Sequence, residues 1–410
     1  MTRIHDTPVN QRVPPYVPPP VDVTLADVGL ACAGVSAGIK ASGRPDVALF
    51  VAAHPVSVAG AFTTNAFAAA PVRLSRAHLA RTGGRVRAIV INSGNANACT
   101  GERGERDALS MCERTAQLVG CSAEEVLVGS TGVIGVPLPW ERVDAGIAEA
   151  HRALEISPAA SDRALAAIMT TDAFEKRAGS RSDGHCIAGM AKGAGMIEPS
   201  MATMLALVAT DAHVEPHELQ RAIAEIASTS FNAVHVDSHT STNDSFFLLA
   251  TGTPRGGATA SWERGARAIA ERLAWLIARD GEGATKVTRI EVVGAPSSSV
   301  ANDIARKVAH SALVRTALFG NDPNWGRFVS AVGNSAHVTD PSGVSCELQG
   351  VPVFSKGEPT VFDRAALVAA LAKTDDVALV LTVGAGSGRA VVLTSDLGYR
   401  YIEVNAEYTT

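Results

Sequence analysis

The stretch Lys192-Gly-Ala-Gly-Met-Ile-Glu-Pro-Ser-Met-Ala-Thr203 holds residue types suited to chemistry on the chain's own backbone. Two glycines, a proline and a small residue precede a threonine that opens an apolar strand, Thr203 to Val208. A threonine hydroxyl can attack the carbonyl of its preceding residue, here Ala202, to give an ester that water opens. The new chain start then carries a free amine beside the same hydroxyl, a nucleophile and its base in one residue. An unperturbed α-amino group titrates near ~8, so much of it accepts a proton at neutral pH, which a lysine ammonium does not. Taken alone, a Gly-x-Gly, Pro, Thr string more often marks a turn entering a strand, and the residues by themselves favour that meaning.

Three further polar clusters can carry chemistry. In Asn92-Ser-Gly-Asn-Ala-Asn-Ala the amides follow an apolar strand, where they either cap turns or hold a ligand, and an isolated case favours the turn. In Ser130-Thr131-Gly132-Val133 a hydroxyl and a glycine amide can point at one oxygen, or the string simply ends a strand. The third cluster is charged and joins two strings: Lys192 can hold a substrate carboxylate or be a solvated loop lysine. Asp280-Gly-Glu282-Gly suits a substrate ammonium or a helix C-terminal turn, and lacks calcium-loop spacing. His185, His235 and His239 fit neither a triad nor a metal site, so exposed or capping roles and no metal are expected.

The string KGAGMIEPSMATML resembles the self-cleavage segment of the ornithine acetyltransferase (glutamate N-acetyltransferase) family. In the same order, similar to that family, come INSGNANACTG from Ile91, GSTGVIG from Gly129, MTTD from Met169, STNDS from Ser241, DGEGATK from Asp280, DPNWGR from Asp322 and NAEYTT ending at Thr410. The likeness runs from about Leu30 to the last residue. It implies an α/β fold of two lobes with helix-sheet-sheet-helix layering and an active site between them. It also implies autoproteolysis at Ala202-Thr203 into an alpha chain, 21–202, and a beta chain, 203–410, preceded by a Pro-rich arm, 1–20. By motif, Thr203 is the nucleophile, Thr131 and Gly132 stabilise the oxyanion, and Thr170, Lys192, Thr203, Glu282, Asn405 and Thr410 bind substrate. The implied reaction moves acetyl from N2-acetyl-L-ornithine to L-glutamate in arginine synthesis, through an acetyl ester on Thr203, with a heterotetramer of two alpha and two beta chains. No coenzyme is required, although acetyl-CoA is a conceivable second donor, and no CoA-phosphate motif is visible. One departure stands out: Ser238-His239 replaces the expected Gly-Asp, which leaves room for another amino-acid acceptor. A related hydrolase that passes the acyl group to water, or a binding protein that keeps the fold without the catalysis, would also carry such strings.

Positioning such groups takes a sizeable core, and 410 residues with 46% hydrophobic content suffice for two cored lobes. A net charge of -5 without a basic cluster argues against nucleic acid. The residues through Pro20 lack an apolar signal core and an Arg-rich amphipathic face, so a secretion or transit signal is not expected there, and Val-Pro-Pro-Tyr-Val-Pro-Pro-Pro predicts an extended arm. Six scattered cysteines without a C-x-x-C pair read as reduced thiols of a cytoplasmic protein, with no membrane partner. Apolar runs from Val47 and Val86 predict buried strands, as do Thr203–Val208, a segment near Val234 and Phe246–Ala250. Helices are predicted over Glu105–Val119, Trp140–Leu154, Ser157–Ile168, Glu215–Ser228, Ser261–Ala278 and Val300–Leu318. The end reads as strand at Val377–Val383, Arg389–Thr394 and Tyr399–Val404. Without strict β-α-β alternation, this mixture predicts layered sheets covered by helices.

Overall fold

A computed structural model describes residues 21–182, 184–198, 204–252, 261–338 and 340–407. The Pro-rich arm, Ala202, Thr203 and Thr410 lie outside these residues. In chain order the elements begin β1 (Ala31–Val35), β2 (Val47–Phe62), α1 (Ala70–Thr82), β3 (Arg85–Asn95), α2 (Gly101–Val119), β4 (Val126–Val133), α3 (Trp140–Arg152) and α4 (Pro158–Ile168). They continue β5 (Lys176–Ser182), β6 (His185–Lys192), β7 (Leu205–Thr210), α5 (Pro216–Thr229), β8 (Val234–His235), β9 (Ser245–Ala250) and α6 (Ser261–Arg279). The rest is β10 (Val287–Ala295), α7 (Ser298–His310), α8 (Ala312–Phe319), α9 (Trp325–Gly333), β11 (Ser345–Leu348), β12 (Val351–Ser355), β13 (Glu358–Pro359), α10 (Arg364–Ala372), β14 (Asp376–Thr382), β15 (Gly388–Ser395) and α11 (Tyr399–Glu407).

Strand β2 organises the first lobe. Its register on β3 shifts between Val51 and Val56, where Ala53, His54 and Pro55 are exposed and Pro55 has no N–H for the ladder. Its first half pairs with β1 and β3 and its second half with β9, so one sheet, β4-β3-β2-β9-β7-β6-β5, folds back on itself. Phe50, Ile89 and Ile91 from one half share a buried cluster with Leu207, Met190, Phe247 and Leu249 from the other. The opposite face of the first half packs on α2 and α3 through Met111, Cys112, Val143 and Ile147. That of the second half packs on α5 and α6 through Ile223, Ile226, Ile269 and Leu273. Helix, sheet, sheet and helix are therefore stacked as expected, and β7 and β9, both beyond residue 203, lie in the interior of the first sheet.

The second sheet, β13-β12-β11-β14-β10-β15-β8, buries one face under α7, α8, α9 and α10 through Ile304, Val308, Phe328 and Leu371. Val287 and the half-buried Leu393 reach the cluster around α6, so that helix lies against both lobes. Among the described residues no helix is long and apolar enough to cross a membrane. The six cysteines form no disulfide, and Cys32, Cys112, Cys186 and Cys346 are buried.

Most expected elements are present. The Ser157 hydroxyl caps α4 by accepting from the Ala160 amide at 3.1 Å. Three expectations are corrected. In α2 the helical spacing of Leu109, Cys112, Ala116 and Val119 points to that stripe, but the helix buries Ala108, Met111, Cys112, Thr115 and Ala116, one step round, and leaves Leu109 exposed. The helix expected over Val300–Leu318 is two, because the Ser311 hydroxyl accepts from the Val314 amide and starts α8 afresh. Tyr399–Val404 is helix α11: an Arg400–Glu403 pair and the bond from Asn405 Nδ2 to the Tyr401 carbonyl favour the turn over the β-propensity of Tyr, Ile and Val.

Candidate active site

The loop from Asp237 to Asp244 fixes both flanks of the suspected cleavage segment. The Asp237 carboxylate accepts from the amides of Met196 and Ile197 at 2.6 and 2.8 Å. The Asp244 carboxylate, fully buried, accepts from the Met204 amide at 3.0 Å. Beside it, Asn243 donates to the Ala96 and Ser130 carbonyls at 2.6 and 2.9 Å, so one dipeptide ties the start of β7 to the end of β4. Burial raises the Asp244 carboxyl well above its ordinary value, ahead of the Met204 hydrogen bond that opposes this.

Into this junction comes Lys192 from β6, in register with Leu205 two residues beyond Thr203. Its ammonium donates to the Thr131 hydroxyl oxygen at 3.1 Å and is almost wholly buried. An ammonium has no lone pair to accept a hydrogen bond, so this contact occupies a lone pair of Oγ1 and leaves the Thr131 hydroxyl hydrogen free for another acceptor. Neighbouring Gly132 has φ 129°, and a Cβ there would sit 2.4 Å from the Gly94 carbonyl carbon. Only glycine brings that strand end so close to β3. Burial lowers the Lys192 pKa, partly offset by the charge of Asp172. No carboxylate lies within ion-pair distance of Lys192 among the described residues.

Behind Lys192 is a carboxylate network that none of the polar clusters read from the sequence contains as a unit. Lys176, fully buried, pairs with Asp172 at 2.5 Å and with Asp280. Asp172 also accepts from the Gly193 and Thr170 amides at 2.7 and 2.8 Å. Burial pushes the Asp172 carboxyl up, but Lys176 and Lys192 override it and hold it below the usual carboxylate range. Burial wins at Asp280, pushed up to about 6 against Lys176. Thr170 thus joins the site through its backbone, its carbonyl accepting from Arg44 at 3.2 Å.

Glu282 follows the C-terminal turn of α6. Its amide donates to the Ala194 carbonyl at 2.9 Å, and its carboxyl carbon would lie 2.5 Å from a Cβ on Gly195, so the carboxylate rests on the glycine turn that follows Lys192. Asn405 donates to that carboxylate at 2.9 Å from α11. The structure therefore joins Thr131 with Lys192 and Glu282 with Asn405, on two sides of one turn. The asparagines of the 92–98 string take the turn meaning: Asn92 donates to the Asn95 carbonyl at 2.9 Å, and Asn97 to that of Gly104 at 2.9 Å.

His235 corrects an expectation, for it is fully buried in β8. Its Nδ1 lies 2.9 Å from Glu198, whose other oxygen meets His310 Nε2 of α7 at 2.8 Å. These three form a candidate metal cluster by proximity, but the carboxylate already engages both imidazoles and anchors Glu198 to the second lobe. Burial pushes the His235 imidazole down to about 4. Burial alone would raise the Glu198 carboxyl, but the two histidines hold it at about 2. The apolar neighbours Ala233, Val234 and Val236 were the available signal for a buried His235. His185 stays half-buried beside Asp211, and His239 is exposed, its amide 3.3 Å from Asp237. The signals for Asp172, Asn243, Asp244 and Asp280 were the strings MTTD, STNDS and DGEGATK themselves.

The ArgJ family model matches residues 31–410. The arginine biosynthesis bifunctional protein ArgJ of Rhodopirellula baltica is 44% identical over 396 residues, spanning 93% of this chain and 96% of that protein. That of Geobacter sulfurreducens is 44% identical over 393 residues, spanning 93% and 99%. A solved structure, the ornithine acetyltransferase of Mycobacterium tuberculosis complexed with ornithine, is 37% identical over 43% of this chain and 95% of that one, with a TM-score of 0.39.

Proposed function

The chain belongs to the ArgJ family, and from that we infer an acyltransferase of arginine biosynthesis that moves acetyl from N2-acetyl-L-ornithine to L-glutamate. The chain cleaves itself between Ala202 and Thr203, and the freed Thr203 is the nucleophile of the mature enzyme. The two products, 21–202 and 203–410 with the arm on the first, stay together because β7 and β9 are interior strands of the first sheet. Two copies of each make the heterotetramer.

One contact carries the mechanism: the 3.1 Å bond from the buried Lys192 ammonium to Thr131. It turns the Thr131 hydroxyl into a donor with a positive charge behind it, and with the Gly132 amide it holds the oxygen that becomes negative when Thr203 attacks the acetyl carbonyl. The Thr203 amine takes the hydroxyl proton and returns it to the departing ornithine nitrogen, leaving acetyl on Thr203. Glutamate's amine then attacks that ester, its proton goes to the same base, and Thr203 is regenerated. Lys192 also faces the α-carboxylate that both amino acids share, while Thr170, Glu282, Asn405 and Thr410 complete the pocket. The cycle needs no coenzyme, and acetyl-CoA is a second donor that would charge the same threonine.

The test is mass analysis of the enzyme incubated with N-acetylornithine alone. One acetyl group on the chain beginning at Thr203, and a single uncut chain for Thr203→Ala, are expected. A Thr203→Ala protein still cut at this bond, or intersecting instead of parallel kinetic lines with no adduct, overturns the assignment.

A further inference from the structure

A pocket that serves ornithine and glutamate in turn must receive side chains of opposite charge. The Glu282–Asn405 pair suits the ornithine ammonium, but a carboxylate there would be repelled. The loop between β1 and β2 supplies the opposite sign. Asp46, fully buried, gathers it by accepting from the amides of Ala37, Ile39 and Lys40 at 2.6, 2.6 and 3.0 Å, while its own carbonyl accepts from the Ser93 amide at 2.8 Å. This fold-back sets Lys40 and Arg44 at the edge of the site. A Cβ on Gly94 would lie 3.0 Å from Lys40 Cγ, and the carbonyl carbon of that same glycine packs against Gly132. Arg44 donates to the Thr170 carbonyl at 3.2 Å.

We propose that Lys40, with Arg44 beside it, is the subsite for the side-chain carboxylate of the acceptor, and thereby selects glutamate; this rests on the transfer reading above. Lys40 spends one N–H on the Pro45 carbonyl at 2.6 Å, leaving two of its three donors. Among the described residues neither cation forms an ion pair, although two oppositely charged neighbours, Asp46 and Asp172, are near enough to be felt. Both of those are committed elsewhere, Asp46 to three amides and Asp172 to Lys176. Burial, and after it the charge of Arg44, lowers the Lys40 pKa to about 8, so a carboxylate bound beside it would favour its charged form. With Lys192 the loop gives three cations for the two carboxylates of one glutamate.

The experiment compares wild type, Lys40→Met, Lys40→Arg and Arg44→Gln. Acetyl-enzyme formation from N-acetylornithine is followed by rapid-quench mass analysis, the glutamate KM by steady-state kinetics, and glutamate Kd by calorimetry. Lys40→Met is expected to raise both glutamate constants ten- to a hundredfold while acetylation of Thr203 stays within twofold, with Lys40→Arg restoring most of the loss and Arg44→Gln showing a smaller effect. Normal acetylation with glutamate KM and Kd unmoved in Lys40→Met overturns the subsite alone. If wild type forms no adduct the transfer reading fails, and the Kd comparison still decides the subsite: equal values for wild type and Lys40→Met overturn it.

Discussion

Lys192→Met is the sharpest perturbation of the proposed centre. The ammonium sits 3.1 Å from the Thr131 hydroxyl, and one further hydrogen bond puts it about 6 Å from the oxyanion. At an effective dielectric of ~20, unit charges at that distance attract by about 3 kcal/mol, roughly a hundredfold in rate. The oxyanion exists only in the tetrahedral state, so the loss falls on kcat. Methionine has a similar length and no charge to desolvate, and the burial that depresses the Lys192 pKa marks the lysine as costly to the fold. The variant should therefore melt no lower than wild type. Steady-state kinetics on protein whose cleavage has been verified by intact mass is the assay. A kcat within threefold of wild type, with KM raised for both amino acids, would refute the electrostatic argument and leave Lys192 a carboxylate anchor only.

Two further outcomes follow from neighbouring geometry. His235 has a folded pKa of about 4 against 6.5 for a free imidazole, so the unfolded chain binds the extra proton between these values and stability falls as pH falls through this window. About 2 kcal/mol should go between pH 7 and 5, and His235→Gln, which cannot titrate there, should flatten that part of a calorimetric melting profile; identical pH dependence in both proteins would contradict the buried neutral imidazole. Gly132→Ala drives a methyl to 2.4 Å from the Gly94 backbone, so it should lower both the melting temperature and kcat, and a variant equal to wild type in both would deny the close approach of β3 and β4.

What the sequence discloses here divides by range. Elements depend on neighbours a few residues away, so the Ser157 cap, the amphipathic α3 and the apolar β9 could be read from the chain, whereas Tyr399–Glu407 could not, since the β-propensity of Tyr, Ile and Val masks the local Arg400–Glu403 and Asn405–Tyr401 contacts that favour its turn. Candidate site residues could be named by likeness of short strings, but their contacts could not. Thr131 and Lys192 are 61 residues apart and meet because β2, whose register on β3 shifts between Val51 and Val56, carries both halves of a sheet folded on itself. The same fold explains why Lys192 invites the solvated-loop meaning and is instead buried: nothing local in Ala-Lys-Gly tells that β4 and β7 close over it. Asp244 makes the point from the other side. Read in sequence it ends a polar string of serine, threonine and asparagine, the composition of a surface turn, yet it is wholly enclosed and holds the Met204 amide. A carboxyl is worth burying there only if the position of that backbone matters, and Asn243, bonded to Ser130, sets that position relative to Thr131. The dipeptide thus acts as a ruler between the start of β7, beside the proposed nucleophile, and the end of β4, beside the proposed oxyanion donors, a role that the 113 residues between Asn243 and Ser130 conceal.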